Sequence, residues 1–388
     1  MIRKEKKKDY QKASLALHKK YGGKLEMKLK TPIKNKDDLS TVYSPGVAGP
    51  CLAIQKNPKK FSELVSAGKT IAVISDGSAV LGLGNLGARP AMPVMEGKAA
   101  LFKRFAGIDA VPIVLDTQNT EEIIQTIKQI APSFAGINLE DFSAPRCFEI
   151  EERLKEELSI PVFHDDQHGT AIVVLAGLIN ALKIVKKKKE KIKVVVNGVG
   201  AAGVAITKLL SRYGIKNIFL VDSQGVVCNE REHLNQMKQS LLKSHNAQGK
   251  VCGSLFDVLK NADVFIGVSV ANLLGKREIE QMAKDPIVFA LANPNPEIDP
   301  EKAKDFGVKI LATGRSDYPN QVNNVLVFPG IFKGALEGKK EQITDAMKLK
   351  AAKALAGMVK KPRVDKIIPG PFEKGIAETI AKAVKSGK

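Results

Sequence analysis

Acidic residues follow each of four apolar runs in the first half of this 388-residue chain. They stand directly after VIS, PIVL, GINL and PVFH: Asp76, Asp116, the pair Glu140 and Asp141, and the pair Asp165 and Asp166. If the runs are parallel neighbouring strands, the carboxylates gather at one sheet edge, where open α/β sheets bind ligands. Their mutual repulsion favours a cation between them, and oxygen ligands suit Mg²⁺ or Mn²⁺. The alternative is that these acids cap helices.

Two histidines, His164 and His168, stand four residues apart, as in the H-E-x-x-H zinc peptidases. Asp165 replaces the glutamate of that motif, and Pro161 and Gly169 argue against a helix around the histidines. A shared zinc needs both rings on one helix face. The sequence therefore disfavours a zinc hydrolase.

Two further side chains could transfer protons. Lys98 lies on a mostly apolar helix, so it is either a surface lysine or one whose pKa burial lowers. Tyr43 stands at the head of the loop YSPGVAGPC and could equally pack against its neighbours.

A dinucleotide-binding unit is predicted over residues 192–222. An apolar strand leads into Gly198, Gly200 and Gly203 in the spacing G-x-G-x-x-G, and a helix and a second strand follow. The helix N-terminus can bind a pyrophosphate, and Asp222 can accept hydrogen bonds from the adenosine ribose. The alternative is a plain β-α-β unit with flexible glycines.

A second match to the same spacing, GLGNLG, contains Gly82, Gly84 and Gly87. About six residues separate it from the preceding strand, and Pro90 and Pro93 fall where the helix of such a unit should run. We interpret it as a glycine-rich loop of the active site.

The predicted elements alternate between strands and helices, which indicates parallel sheets. We expect an α/β protein of two domains, each with a mainly parallel sheet and flanking helices: residues 1–168 for substrate and metal, and 169–388 for a Rossmann-type dinucleotide fold with C-terminal helices. Predicted helices include 92–105, 120–130, 147–158 and 170–185.

The composition limits the classes of protein. The net charge of +20 is compatible with nucleic-acid binding, but the lysines are scattered and no nucleic-acid motif accompanies them, so we predict no nucleic-acid partner. We find neither a membrane span nor a signal peptide. Cys51, Cys147, Cys228 and Cys252 show no C-x-x-C spacing, so we expect free thiols and a cytoplasmic protein.

Eight segments together resemble the malic enzymes in their compact bacterial form. They occur in the order of that family and span residues 43–330: YSPGVAGPC, SDGSAVLGLGNLG, MPVMEGKAALFKRFAGID, NLEDF, FHDDQHGTA, NGVGAAG, LANPNPE and QVNNVLVFPG. The resemblance implies oxidative decarboxylation of (S)-malate to pyruvate and CO₂ with reduction of NAD or NADP. The alternatives are another NAD-linked hydroxy-acid dehydrogenase on the same scaffold and a basic nucleic-acid-binding protein.

The resemblance also implies roles for individual residues. Lys98 would be the general base at the C2 hydroxyl, Tyr43 the general acid at C3, and Asp165 the neighbour that tunes Lys98. The implied metal ligands are Glu140, Asp141 and Asp166, for Mg²⁺ or Mn²⁺. Asn293 and Asn324 would join Lys98 at the substrate. The implied dinucleotide contacts are Asn197, Gly198, Val199, Gly200, Ala201, Ala202, Gly203, Asp222, Ser269 and Asn293.

The sequence departs from the larger eukaryotic members at Ala79, where they have an arginine that grips a malate carboxylate. The cation must come from elsewhere, for instance from a lysine of a neighbouring subunit, and the family resemblance implies a homodimer. Asp222 favours NAD, but Arg231 and Lys238 lie downstream, so use of NADP is also compatible.

Overall fold

A computed structural model describes residues 9–80, 82–244 and 248–387. The lysine-rich start of the chain, residues 1–8, lies outside this described part. Two separate sheets organise the rest, as the alternating pattern predicts.

The first sheet has four parallel strands in the order β2-β1-β3-β4. Their bounds are β1 Thr70–Ser75, β2 Asp109–Val114, β3 Gly136–Leu139 and β4 Val162–His164. Every residue of β1, β3 and β4 is buried, which explains why these strands read as continuous apolar runs and do not alternate. The four carboxyl ends lie at one edge, as predicted.

The second sheet has six strands in the order β10-β9-β8-β5-β6-β7. Their bounds are β5 Val194–Asn197, β6 Ile218–Asp222, β7 Gly225–Val226, β8 Val264–Gly267, β9 Ile287–Ala290 and β10 Ile310–Thr313. All pairs are parallel except β6 with β7. The strand order reverses between β5 and β8, which is where sheets of this kind bind their ligands. The predicted Rossmann-type sheet is confirmed.

Four helices precede the first sheet, and most of the others alternate with the strands along the chain. Their bounds are α1 Tyr10–Tyr21, α2 Lys36–Val42, α3 Ala48–Lys56, α4 Phe61–Leu64, α5 Ala88–Ala106, α6 Thr120–Ile130, α7 Arg146–Glu157, α8 Asp165–Val185, α9 Ala201–Tyr213, α10 Gln236–Ser244, α11 Leu255–Leu259, α12 Lys276–Glu280, α13 Phe328–Glu337, α14 Asp345–Met358 and α15 Ile376–Lys385. Short 3₁₀ turns occupy Pro58–Lys60, Ser66–Lys69, Ala131–Ser133 and Asn324–Leu326.

Helix α5 begins earlier than expected and contains both prolines of its first turns. Pro90 is tolerated because the first N–H groups of a helix have no intrahelical partner, whereas Pro93 removes one helical hydrogen bond. The carbonyl of Pro93 accepts a hydrogen bond from Lys24 Nζ at 2.8 Å. The glycine-rich stretch before α5 remains a loop, as interpreted. A side chain at Gly82 would meet the carbonyl oxygen of Asn293 at 2.6 Å, so this loop lies against the dinucleotide half.

Helix α8 begins at Asp165, and our expectation that no helix forms near the histidines is wrong. Two aspartates in the first turn stabilise the positive end of the helix dipole, and the helix runs through Gly169. A side chain at Gly169 would meet Asp165 Oδ1 at 1.9 Å, so glycine leaves room for the Asp165 carboxylate. The zinc interpretation still fails, because His164 ends β4 while His168 lies inside the helix.

Within the described residues, α8 is also the one helix long and apolar enough to cross a membrane. About 67% of that stretch is buried inside the protein, where it packs against α9 and α14. Its apolar character is that of a core helix between the two halves.

The cysteine prediction is wrong for one pair. Cys228 and Cys252 form a disulfide with their Cα atoms 5.4 Å apart, while Cys51 and Cys147 are free. The short strand β7 brings the two segments together, because Val226 N–H donates to the carbonyl of Gly253 at 2.8 Å. Local spacing cannot reveal such a long-range pair. The cytoplasmic location stays a prediction, and the free-thiol argument no longer supports it.

Candidate active site

A cleft of about 600 Å³ lies between the carboxyl edges of the two sheets. Both halves of the chain contribute to it, and most of the residues predicted for the site line it. These are Lys98, Glu140, Asp141, Asp166, Gly200, Ala201, Ala202, Ser269, Asn293 and Asn324. Thr170 and Asn323 also line the cleft and were not predicted.

The predicted carboxylate cluster forms at the edge of the first sheet. Glu140, Asp141 and Asp166 each offer an oxygen within 4.8 Å of the others. Asp141 N–H donates to Asp166 Oδ2 at 2.7 Å, which ties the end of β3 to the start of α8. Asn138 Nδ2 donates to Glu140 Oε2 at 3.0 Å and orients that carboxylate.

The other acids at this edge have different surroundings. Asp76 is buried and forms an ion pair with Arg146 at 2.6 Å, so a protein cation already neutralises it. Asp116 follows the edge strand β2 and is exposed. Of the acids that follow the four strands, only Glu140, Asp141 and Asp166 form the cluster.

The cluster fits a hard divalent cation. Burial raises the pKa of Glu140 well above its ordinary value, and although Lys98 opposes this, the charges of Asp166, Asp165 and Asp141 raise it further. Several buried carboxylates so close together are stabilised as anions only by positive charge. Oxygen donors of this kind are the ligands that Mg²⁺ and Mn²⁺ prefer.

Lys98 lies at the centre of the site and is buried. Its Nζ is 2.6 Å from Asp165 Oδ2, 2.8 Å from Glu140 Oε1 and 4.4 Å from the ring centroid of Phe328. Burial lowers its pKa, but the charges of the neighbouring carboxylates outweigh burial and hold the pKa above the ordinary value. Lys98 is therefore neither a surface lysine nor a lysine with a lowered pKa, because it is buried and two ion pairs compensate for desolvation.

Asp165 is fully buried behind Lys98. Asn324 Nδ2 donates to the Asp165 carbonyl oxygen at 3.3 Å, and Thr170 Oγ1 donates to Asn324 Oδ1 at 3.2 Å. These contacts fix the first turn of α8 against the 3₁₀ turn that carries Asn324. The residue predicted to tune Lys98 is in contact with it.

Tyr43 does not join the cleft of its own chain. It follows α2 directly, its side chain is 70% exposed, and it is not among the residues that line the cleft. Its predicted role stays a prediction.

The predicted dinucleotide loop has the expected geometry. Gly198 has a φ of 109°, and a side chain at Gly203 would meet the Gly198 carbonyl oxygen at 1.8 Å, so both positions require glycine. Asn197 Nδ2 donates to Ser269 Oγ at 2.6 Å and ties the end of β5 to the loop that follows β8. Helix α9 begins at Ala201 and directs its N-terminus at the cleft. Val199 lies within this loop.

Asp222 ends β6, as predicted for the ribose-binding acid. Its carboxylate accepts hydrogen bonds from Arg231 at 2.9 Å and Lys238 at 2.7 Å. Burial raises the pKa of Asp222, but the hydrogen bonds from the two cations outweigh burial, and the pKa lies below its ordinary value.

Glu151 on α7 is a residue that the sequence analysis did not identify. It is buried, and its carboxylate accepts hydrogen bonds from His164 N–H at 3.2 Å and from Gln167 Nε2 at 3.2 Å. His168 Nε2 is 2.8 Å from the same carboxylate. Glu151 thereby holds the turn that contains Asp165 and Asp166. The sequence could have indicated its burial, because Glu151 lies on the same face of α7 as the apolar residues Cys147, Ile150 and Leu154.

Comparisons with known proteins agree with this geometry. The profile "Malic enzyme, N-terminal domain" matches residues 22–155, and "Malic enzyme, NAD binding domain" matches residues 167–386. An NAD-dependent malic enzyme of Geobacillus stearothermophilus is 58% identical over 365 residues, which cover 94% of this chain and 76% of that protein. A bifunctional malic/malolactic enzyme of Bacillus subtilis is 54% identical over 374 residues, which cover 96% of this chain and 91% of that protein.

A solved structure shows the same architecture. The crystal structure of an NAD-dependent malic enzyme from Thermotoga maritima superposes with a TM-score of 0.93 at 48% identity, covering 96% of this chain and 99% of that one. The profile matches, the close relatives and the shared architecture lead to one conclusion: the chain belongs to the malic enzyme family.

Proposed function

We propose that the chain catalyses the oxidative decarboxylation of (S)-malate to pyruvate and CO₂, with reduction of a nicotinamide dinucleotide. One observation carries the proposal: a buried lysine, a three-carboxylate cluster and the glycine-rich dinucleotide loop line a single cleft. Family membership makes the chain an oxidoreductase of this type.

Glu140, Asp141 and Asp166 would hold Mg²⁺ or Mn²⁺ in this proposal. The ion would polarise the C2 oxygen of malate, and its charge would offset the carboxylates that keep the pKa of Lys98 high. Lys98 Nζ, as the neutral amine, then takes the proton of the C2 hydroxyl, and Asp165 keeps the resulting ammonium group in place. Asn324 and Asn293 orient the substrate in the cleft.

The reaction is tested directly by mixing the protein with malate, Mn²⁺ and NAD⁺ or NADP⁺ and following the absorbance of the reduced nicotinamide. Pyruvate and lactate are both assayed as products, because one relative is described as a bifunctional malic/malolactic enzyme. Other 2-hydroxy acids form a comparison panel. A lack of turnover of malate with either dinucleotide would remove the proposal, and faster turnover of another hydroxy acid would favour the alternative dehydrogenase.

We propose NAD as the preferred dinucleotide, with NADP accepted at lower efficiency. Asp222 can bind both ribose hydroxyls of NAD and repels a 2′-phosphate. Its two partners Arg231 and Lys238 offset that repulsion and lie within reach of the same position.

Replacing Lys238 with glutamine should lower the ratio of kcat/KM for NADP to that for NAD by about tenfold. The physical reason is that a charge-assisted hydrogen bond contributes roughly 1.5–3 kcal/mol, and only NADP places a phosphate near this cation. Steady-state kinetics with both dinucleotides measure the ratio. Lys243→Gln, which removes an exposed charge from the same helix, is the control. An unchanged ratio in Lys238→Gln would exclude Lys238 from cofactor choice.

We also propose that the protein acts as a homodimer whose interface includes the N-terminal helices. None of the described residues in α1, α2 or α3 is buried within the chain. Large apolar side chains are exposed along this segment, a pattern typical of an interaction surface: Tyr10, Leu15, Tyr21, Met27, Leu29, Leu39 and Leu52. A second copy covering this segment would bury them.

The dimer would also complete the active site. Lys98 is the one cation among the described residues that line the cleft, and Ala79 offers no charge for the second carboxylate of malate. Tyr43 lies on the exposed N-terminal segment. We propose that the partner subunit supplies both the missing cation and the tyrosine that protonates C3.

Tyr43→Phe should block malate turnover while oxaloacetate reduction remains measurable, because reduction needs no protonation at C3. Both rates are followed by nicotinamide absorbance on the same preparation. Equal loss of both activities would contradict the assignment of Tyr43 as the acid.

Co-expression of Tyr43→Phe chains with Lys98→Arg chains tests the dimer. Mixed dimers regain malate turnover only if Tyr43 acts across the interface.

A further inference from the structure

A second cavity, of about 220 Å³, lies away from the cleft where α7, α8, α9 and α14 meet. Its walls carry charged side chains from α7, α9 and α14, and the dinucleotide loop, Lys98 and the carboxylate cluster are not part of it. It therefore joins the catalytic half, the connecting helix α8 and the first helix of the dinucleotide unit.

The cavity has more positive charge than its acids can pair. Lys208 on α9 is half-buried, and no hydrogen-bond or ion-pair partner for its ammonium group occurs in the described part of the chain. Arg212, one helical turn further along α9, lies 3.6 Å from Asp345. Both cations lie on the same face of the helix and line the cavity.

Lys348 on α14 adds a buried cation to the same wall. Its side chain is 6% exposed, and its Nζ contacts Asp345 at 3.1 Å and His168 at 3.1 Å. Burial, reinforced by the nearby charge of Lys155, lowers the pKa of Lys348 to about 8. The contacts of Lys348 with the protein therefore do not fully offset the cost of burying its positive charge.

Two of the three acids of this cavity, Glu151 and Asp345, already have partners. Glu151 accepts hydrogen bonds from the first turn of α8 and pairs with Lys155 at 2.5 Å. Asp345 is shared between Lys348 and Arg212. Glu152, the remaining acid of the lining, is exposed. Lys208 has no partner among the described residues, and Arg212 and Lys348 share one carboxylate, so these three cations suit an anion with several oxygens.

We propose that this cavity binds a small multivalent oxyanion, either a phosphate or a dicarboxylate, at a site separate from the catalytic cleft. The anion would join α9 of the dinucleotide half to α14. It would also lie beside His168, which contacts the Glu151 carboxylate that holds Asp165 and Asp166. Occupancy would therefore stabilise the first turn of α8 and the relative position of the two halves. This inference goes beyond the proposed function, since binding needs no turnover.

Isothermal titration calorimetry at low ionic strength tests the site, with saturating NAD⁺ present to block the pyrophosphate loop. Inorganic phosphate is titrated in one arm and succinate in the other, which distinguishes the two classes of anion. The double variant Lys208→Gln/Arg212→Gln should weaken binding of the matching anion by about tenfold or more, because it removes two charge-assisted hydrogen bonds. Lys208 is only half-buried and Arg212 is exposed, so the fold should persist.

The control variant Lys353→Gln/Lys360→Gln removes the same charge from exposed positions outside the cavity. It should bind the anion as the native protein does. Equal weakening in both double variants would assign the effect to net charge and overturn the proposal. A lack of binding of both anions to the native protein, or binding unchanged in Lys208→Gln/Arg212→Gln, would overturn it as well.

Discussion

Replacing Lys98 with arginine is expected to lower kcat for malate oxidation by about two to four orders of magnitude, the usual contribution of a general base. Arginine keeps a positive charge between Asp165 and Glu140, so the buried carboxylates retain a counter-charge. Its guanidinium cannot lose a proton near neutral pH and cannot act as the base. The measurement is kcat under saturating malate, Mn²⁺ and dinucleotide.

Lys98→Ala provides the comparison that separates charge from proton transfer. It should be equally inactive and also less stable by about 3–5 kcal/mol, because it leaves buried carboxylates without their cation. Urea denaturation of both variants gives the difference in the free energy of unfolding. Turnover within tenfold of native in Lys98→Arg would show that another group takes the proton.

Replacing Asp166 with asparagine is expected to weaken Mn²⁺ binding by at least about 100-fold. Loss of an outer-shell partner of a metal ligand already costs 10–100-fold, and here a charged ligand itself is removed. Asparagine can still accept the hydrogen bond from Asp141 N–H, so the turn between β3 and α8 should remain intact. Calorimetric titration with Mn²⁺ measures the affinity without turnover.

Asp116→Asn is the matched control, because Asp116 follows a strand at the same sheet edge but is exposed and outside the cluster. Native affinity is expected for it. If Asp166→Asn also bound Mn²⁺ with native affinity, the three-carboxylate cluster would not be the metal site.

Much of the catalytic half could be predicted because its strands are short, apolar and buried on both faces. Residues 136–139 were predicted as a strand, and β3 has those bounds. Helix α6 likewise has the predicted bounds, since Asn119 caps it and its apolar residues recur with helical spacing. The start of α8 was not predicted, because Pro161 and Gly169 are typical helix breakers, whereas two aspartates in the first turn stabilise this helix.

Electrostatic states and long-range pairs could not be predicted in the same way. The pKa of Lys98 depends on Asp165, 67 residues away, and on Glu140, so the sign of the shift follows from tertiary contacts. The bond between Cys228 and Cys252 depends on the contact of β7 with Gly253, and Tyr43 lies outside the cleft of its own chain.

The sequence by itself determined the two α/β halves, the dinucleotide loop and the identity of the carboxylates, because strand periodicity, glycine spacing and residue type are local properties. Only the tertiary structure decided which acids share a site, which are neutralised by Arg146 or Lys98, and that α8 joins two separate cavities. Charge interactions depend on distance and burial, and both are set when helices and sheets pack together.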